Sequence, residues 1–242
     1  MRSLKLFGPA LLAVFAVLAM VFPTGTATAA TEISLGTHNT HHGDGSFEQF
    51  AGVIGWQEVD TAAARDKLRN RLDAGYATFF ADDDPAKSVP ISWRKDRFTL
   101  LGSGSVRTHE GEAEVTPARY VNWVHLQVAS TRFIVVNTHF ISGAWSGHPE
   151  RQARWNTHLN VLQDKVADLK RNHPQEPIFV LGDFNRAQAV NLPSPLQHVA
   201  VNGVGGVPID QMYAPSTLSH TKVTRHSQWG SDHHGYSMLA TL

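Results

Sequence analysis

The sequence has no cysteine. That excludes a disulfide scaffold, a thiolate-ligated zinc site and a cysteine nucleophile. It has no excess of charge either: 21 Lys and Arg face 21 Asp and Glu. A polybasic nucleic-acid coat is therefore excluded, although a local basic groove is not. Charged residues make up only 17% of the chain against 42% hydrophobic ones, which argues against global disorder. No G-x-S-x-G elbow and no H-E-x-x-H occurs, so a serine hydrolase and a zincin protease are set aside. Repeats and low-complexity tracts are also missing. What stands out instead is 14 histidines in 242 residues. The length suits one domain of about 200 residues.

The N-terminus carries the only long apolar run. Arg2 and Lys5 form a basic head, Leu6 to Phe22 is almost wholly apolar, and Ala27-Thr28-Ala29 is an A-x-A exit before Ala30. This order predicts a secretory signal peptide over residues 1–29, cleaved near Ala29/Ala30, with the catalytic domain over 30–242. A membrane anchor is the competing reading, which Pro23 and the small-residue exit disfavour. The expected product is a soluble, exported monomer with a slight acidic excess.

Strand-like and helix-like stretches alternate along residues 30–242. Glu32–Asn39, Val53–Glu58, Tyr76–Phe80, Val89–Trp93, Phe98–Val106, Tyr120–Val128, Arg132–Asn137, Ile178–Leu181 and Tyr236–Leu242 read as strands. Gly102 and Gly104 predict a bulge or turn within the fifth of them. Ala62–Leu72 reads as a helix. So does Pro149 through Leu169, where Trp155, Leu159, Leu162, Val166 and Leu169 recur at helical spacing. Residues 186–208, rich in Pro and Gly, read as loop, followed by a short Pro208–Tyr213 segment. The mixture predicts a two-layer sheet core with helices outside.

Polar residues gather at the ends of these strands. Asn39 follows the first and Glu58 the second. Asn137-Thr138-His139 follows RFIVV, Gly182-Asp183-Phe184-Asn185 follows IFVL, Asp210 follows Val207-Pro-Ile, and Ser231-Asp232-His233 precedes the last strand. A single Asn or Asp in such a place is ordinarily a turn residue. Six together, on ends that one sheet rim can bring into register, predict a site. The residue types suit phosphoester cleavage. Glu58, Asn39 and Asp232 offer hard oxygen ligands for a cation such as Mg²⁺. His139 and Asn185 offer donors to phosphate, Asp183 an acceptor for water, and His233 with Asp210 an oriented imidazole.

The ordered set THNT, QE, NTHF, GDFN, ID and SDHH, running from Thr37 to His234, resembles the endonuclease/exonuclease/phosphatase superfamily, whose members include DNase I. The resemblance implies a DNase I-like four-layer α/β sandwich: two packed, mainly antiparallel β-sheets flanked by helices. It also implies phosphoester hydrolysis by an activated water with Mg²⁺ or Mn²⁺. Carried over by position, Glu58 with Asn39 would hold the metal and Asp232 would join the metal or water network. His139, Asn185 and Arg119 would contact phosphate, Asp183 would activate water, and His233 would contact phosphate with Asp210 as its partner. A nuclease is the leading expectation, with a phosphodiester, nucleic acid first, as substrate. A sphingomyelinase-like enzyme acting on membrane lipid, or a phosphatase, is the alternative, and a non-catalytic secreted binding protein is the third. Calcineurin-like phosphoesterases need a Gly-Asn-His block that is absent. Trp145, between Gly143 and Gly147, is a candidate lipid wedge or a buried loop anchor. His41 and His42 read as solvated loop residues, with transition-metal ligation as the other option.

Overall fold

A computed structural model describes residues 30–72 and 74–242. The predicted signal peptide at 1–29 lies outside the described residues.

Twelve strands and two α-helices follow in the order β1 (Glu32–Asn39), β2 (Val53–Gln57), α1 (Ala62–Leu72), β3 (Tyr76–Phe79), β4 (Ile91–Arg94), β5 (Thr99–His109), β6 (Arg119–Val128), β7 (Thr131–His139), α2 (Gln152–Asn172), β8 (Ile178–Asp183), β9 (Leu196–His198), β10 (Asp210–Pro215), β11 (Thr224–Arg225) and β12 (Tyr236–Thr241). They form two six-stranded sheets, ordered β11-β12-β1-β2-β4-β3 and β5-β6-β7-β8-β10-β9. Each sheet contains one parallel pair, β1 with β2 and β7 with β8, and is otherwise antiparallel.

Alternation along the strands explains the layers. Phe133 and Val135 of β7 face Ile33, Leu35 and Val53 of the other sheet. Their neighbours Ile134 and Val136 face Trp155, Leu162, Val166 and Leu169 of α2. A strand buried on both faces reads as the unbroken apolar run FIVV after the exposed Arg132. On the far side, Ile54 and Trp56 of β2 meet Ala64, Leu68 and Leu72 of α1. Helix, sheet, sheet and helix make the four-layer sandwich.

Local departures from the sequence reading have local causes. Pro149–Arg151 forms a 3-10 turn, and α2 runs on past Leu169 to Asn172 before Pro174 stops it. His158, not Leu159, takes the buried place on its inner face. Pro90 splits the expected Val89–Trp93 strand, leaving a 3-10 turn at Pro85–Ser88 and β4 from Ile91. The expected bulge in β5 lies between Leu100 and Gly102. The expected loop 186–208 contains β9, a three-residue edge strand paired with β10.

Candidate active site

Parallel pairing builds the site. In a parallel pair both C-terminal ends leave the sheet at the same rim. In one sheet Asn39 lies opposite Gln57, with Glu58 next in the chain. In the other His139 lies opposite Asp183. The strand β10 runs the other way, so Asp210 opens it and falls in register with Asp183. The sequence reading placed Asp210 after a strand; it stands at the start of one, and antiparallel pairing brings it to the same rim.

The sheets are locked together just beneath this rim. The buried Gln57 Nε2 donates to Asn137 Oδ1 at 2.6 Å, and Asn137 Nδ2 donates to the carbonyls of Trp56 (2.8 Å) and Pro90 (3.0 Å). Asn137 is therefore a bridge from β7 to the opposite sheet rather than a rim residue. Gly55 leaves it room, since a Cβ there would lie 2.6 Å from Asn137 Oδ1.

Above the bridge the functional side chains converge. Asn39 Nδ2 donates to Glu58 Oε1 and to Asp183 Oδ2, each at 3.0 Å, and so ties the carboxylates of the two sheets together. Its oxygen accepts the His41 N–H at 3.0 Å. As placed, Asn39 orients carboxylates and does not turn an oxygen toward them. Asp183 Oδ1 accepts the Asn185 N–H at 2.8 Å, and Asn185 Nδ2 donates to the Phe140 carbonyl. Two imidazole nitrogens face Asp183 Oδ2: His139 Nε2 at 3.5 Å and His233 Nε2 at 3.9 Å. His139 Nε2 is also 3.7 Å from Glu58 Oε1. These gaps exceed a direct hydrogen bond, so neither Nε2 is bonded to a carboxylate of the other elements.

Protonation follows from the partners. Arg119 Nη1 can only donate, and it lies 3.3 Å from His139 Nδ1. The proton of neutral His139 therefore sits on Nε2, facing Asp183. Burial, then the charge of Arg119, holds this imidazole well below its ordinary pKa. Burial also opposes charge on His233, yet the hydrogen bond from its Nδ1 to Asp210 Oδ2 at 2.8 Å, with the nearby carboxylates, pushes it up to about 10. Burial, then Asp210, raises Asp183 to about 7. The site thus holds a neutral imidazole donor, an imidazolium and a carboxyl group of raised basicity.

The backbone is strained here. His41 (φ 49°), His42 (φ 55°), Glu58 (φ 61°) and Asn185 (φ 48°) all occupy the left-handed region. For a glutamate that geometry costs about 1–2 kcal/mol, and such strain clusters at functional sites.

No protein-family model matches the chain, and no curated protein matches it in sequence. An endonuclease/exonuclease/phosphatase family protein from Bacteroides thetaiotaomicron superposes with a TM-score of 0.69 at 15% identity, over 88% of this chain and 98% of that one. A mannosyl-6-phosphatase from Bacteroides thetaiotaomicron VPI-5482 gives 0.66 at 15% identity, over 87% and 100%. ANGEL2, a 2′,3′-cyclic phosphatase solved with adenosine-2′,3′-vanadate, gives 0.65 at 14% identity, over 88% and 96%. The chain has the endonuclease/exonuclease/phosphatase fold.

Within this endonuclease/exonuclease/phosphatase fold, the structure brings together Asn39, Glu58, Arg119, His139, Asp183, Asn185, Asp210 and His233. Asp232 sits at the exposed edge of this group. Its side chain is 60% exposed, and its nearest ionic contacts, His233 Nε2 and His41 Nε2, are both 3.9 Å away. The groups that cluster with Glu58 as possible ligands are His42 and Asp60. The His42 N–H donates to Glu58 Oε2 at 3.1 Å, and His42 Nδ1 lies 2.7 Å from Asp60 Oδ2. So His42 faces these carboxylates while its side chain stays 66% exposed to solvent. Asp60 was missed; the E-x-D spacing of Glu58 and Asp60 was the available signal. Trp145 is 39% exposed, so it is not the buried loop anchor. It packs edge-on against Trp155 and lies 4.0 Å beneath the Arg186 guanidinium.

A buried histidine behind the site makes an acid-lability prediction. His158 stacks on Phe140 with ring centroids 3.8 Å apart, and its Nε2 donates to Thr138 Oγ1 at 2.6 Å. Burial holds it neutral, well below its ordinary pKa. In the unfolded chain it protonates below about pH 6.5, while the folded form does not. Folding stability is therefore complete above that pH and falls below it, by up to about 1.4 kcal/mol per unit from this group. The melting temperature should drop between pH 6.5 and 5, and calorimetry should find a shallower drop in His158→Gln. An unchanged slope would show that His158 takes up its proton in the folded state.

Proposed function

We propose that the protein is a divalent-metal-dependent phosphoester hydrolase that directs water at phosphorus from Asp183, with nucleic acid as its leading substrate. The observation that carries this reading is the pair of histidine Nε2 atoms, 3.5 and 3.9 Å from one oxygen of Asp183. A carboxylate that accepts a proton stands beside two N–H donors that can hold the phosphoryl oxygens.

The residues fit a hard cation. Glu58 is 17% exposed at its side chain, and its two oxygens each accept one hydrogen bond, from Asn39 and from the His42 N–H. That leaves lone pairs free in an oxygen-rich setting. Glu58 would hold the ion with Asp60 beside it, and Asn39 fixes the Glu58 carboxylate. When bound, Mg²⁺ or Mn²⁺ would supply charge neutralisation at the phosphoryl oxygens. The chain's own groups do the rest. Asp183 orients water and takes its proton. Neutral His139, with Nδ1 held by Arg119, presents Nε2–H. His233, held protonated by Asp210, presents a positive donor.

Two features favour a polymeric phosphodiester. Arg186 directly follows Asn185, and its guanidinium lies over the partly exposed Trp145 ring. A cation and an aromatic face at the rim suit a chain of phosphates and bases. We further propose that residues 1–29 direct export, which would place extracellular DNA or RNA within reach.

The test is a substrate panel with Mg²⁺ or Mn²⁺: plasmid DNA, RNA, a nucleoside 2′,3′-cyclic phosphate, sphingomyelin vesicles, inositol phosphates and a phosphomonoester. Cleavage of DNA or RNA that stops with EDTA and returns with added metal is expected. Hydrolysis of the phosphomonoester alone would overturn the diesterase reading, and activity indifferent to EDTA would overturn metal dependence.

A further inference from the structure

A second constellation lies at the opposite end of the same sheet. His125 is central in β6, paired with Ile134 of β7. His173 caps α2, and Glu176 follows in the turn that leads to β8, where the Glu176 N–H donates to the His173 carbonyl at 3.2 Å. That turn sets the two side chains on one side, over His125. Glu176 Oε2 is 2.6 Å from His125 Nε2 and 3.3 Å from His173 Nδ1. The two rings stand 4.6 Å apart at 62°. Glu176 precedes Asp183 by seven residues along a strand, so the cluster is roughly 20 Å from the active site.

The polar atoms here are not satisfied by one another. His125 is 8% exposed. Despite the 2.6 Å contact, His125 Nε2 and Glu176 Oε2 are both buried without a hydrogen bond, because they are poorly aligned for one. Buried polar atoms are seldom left so. A tetrahedral ion about 2.0–2.1 Å from nitrogen and oxygen ligands holds those ligands roughly 3.3 Å apart, with the oxygen off the imidazole lone-pair axis. The His173–Glu176 spacing of 3.3 Å matches that edge, whereas the 2.6 Å between His125 and Glu176 is shorter, so the Glu176 carboxylate would draw back from His125 by roughly 0.7 Å to admit the ion.

We propose that His125, His173 and Glu176 form a structural transition-metal site, of zinc type, that ties the end of α2 to β6. Two imidazoles and one carboxylate select Zn²⁺ or Ni²⁺ over Mg²⁺, which prefers oxygen ligands throughout. His173 is 28% exposed at its side chain, which leaves an entry path for an ion. The fourth position would be taken by water or a small anion.

The test is a melting curve of the metal-stripped protein with added Zn²⁺, or with Mg²⁺ alone. Zinc at 100 times its dissociation constant should raise the melting temperature by roughly 5–10 °C, and Mg²⁺ should give no shift through this site. Calorimetric titration of Glu58→Gln should retain one zinc site, while His173→Gln and Glu176→Gln should each lose it. His173→Gln should also keep wild-type Mg²⁺-dependent hydrolysis and its metal-free melting temperature, which separates this site from the catalytic one. A zinc shift of equal size in His173→Gln would overturn the proposal. So would a shift abolished only by His42→Gln, since it would place the zinc beside Glu58, as would no shift in the wild type.

Discussion

Asp183→Asn is expected to lower kcat for phosphoester hydrolysis about 10³-fold while leaving the fold as stable as before, or more so. A positioned general base contributes about 10²–10⁴ in rate, and 10³ corresponds to about 4 kcal/mol in the barrier. Asparagine keeps the shape. Its oxygen can still accept the Asn185 N–H that Oδ1 accepts at 2.8 Å. What it loses is basicity, together with the hydrogen bond that Asp183 Oδ2 accepts from Asn39 Nδ2 at 3.0 Å. The opposite sign for stability follows from burial: the Asp183 side chain is 1% exposed and stands in register with a second carboxylate, Asp210. Removing one of two buried like charges relieves a desolvation penalty of several kcal/mol, partly offset by the lost attraction to His233. Steady-state kinetics and a melting curve on the same preparation read both effects. A kcat within threefold of wild type would remove Asp183 from the reaction. A large drop in melting temperature would mean that its charge is structural.

Much of this site was legible because its groups sit where strands end. THNT, QE, NTHF and GDFN each join an apolar run to a polar exit, and parallel pairing then carries Asn39, Glu58, His139 and Asp183 to one rim. The four layers were legible for a related reason: FIVV, after the exposed Arg132, and IFVL are apolar at every position, which requires cover on both faces. Side-chain direction was not legible. Asn137 and His139 belong to one motif and point the same way out of β7, yet Asn137 lies one step deeper and bridges the sheets while His139 reaches the site. The exposure of Asp232 depends on how the loop after Arg225 turns, and no local pattern encodes that. His42 and Asp60 meet only because the chain folds back between β1 and β2. The His125–His173–Glu176 cluster was invisible for the same reason: a strand residue and a helix-capping turn some fifty residues later carry no shared spacing.

Gly182→Ala should be among the most damaging single-methyl changes at the described glycines, with a loss of more than about 4 kcal/mol or failure to fold. Gly182 has φ 153°, a conformation that an L side chain rarely adopts, and a Cβ there would lie 2.2 Å from the carbonyl oxygen of Thr138. Glycine's ordinary conformational advantage accounts for about 1 kcal/mol. The rest comes from a collision that nothing nearby can relieve. Gly182 pairs with Thr138 on one side and Gln211 on the other, so moving it breaks either the parallel or the antiparallel ladder. Thr138 is itself pinned, since its hydroxyl donates to the Tyr120 carbonyl at 2.9 Å and accepts from His158. The next residue is Asp183, so any shift that admits a methyl group also displaces the carboxylate from His139 and His233. Gly203→Ala is the matched control: it too has a positive φ, 70°, but open space around its Cβ position. Urea unfolding should show a loss of about 1 kcal/mol for the control and at least four times that for Gly182→Ala. Equal losses in the two variants would mean that the backbone conformation alone, and not the close approach of β8 to β7, fixes glycine beside Asp183.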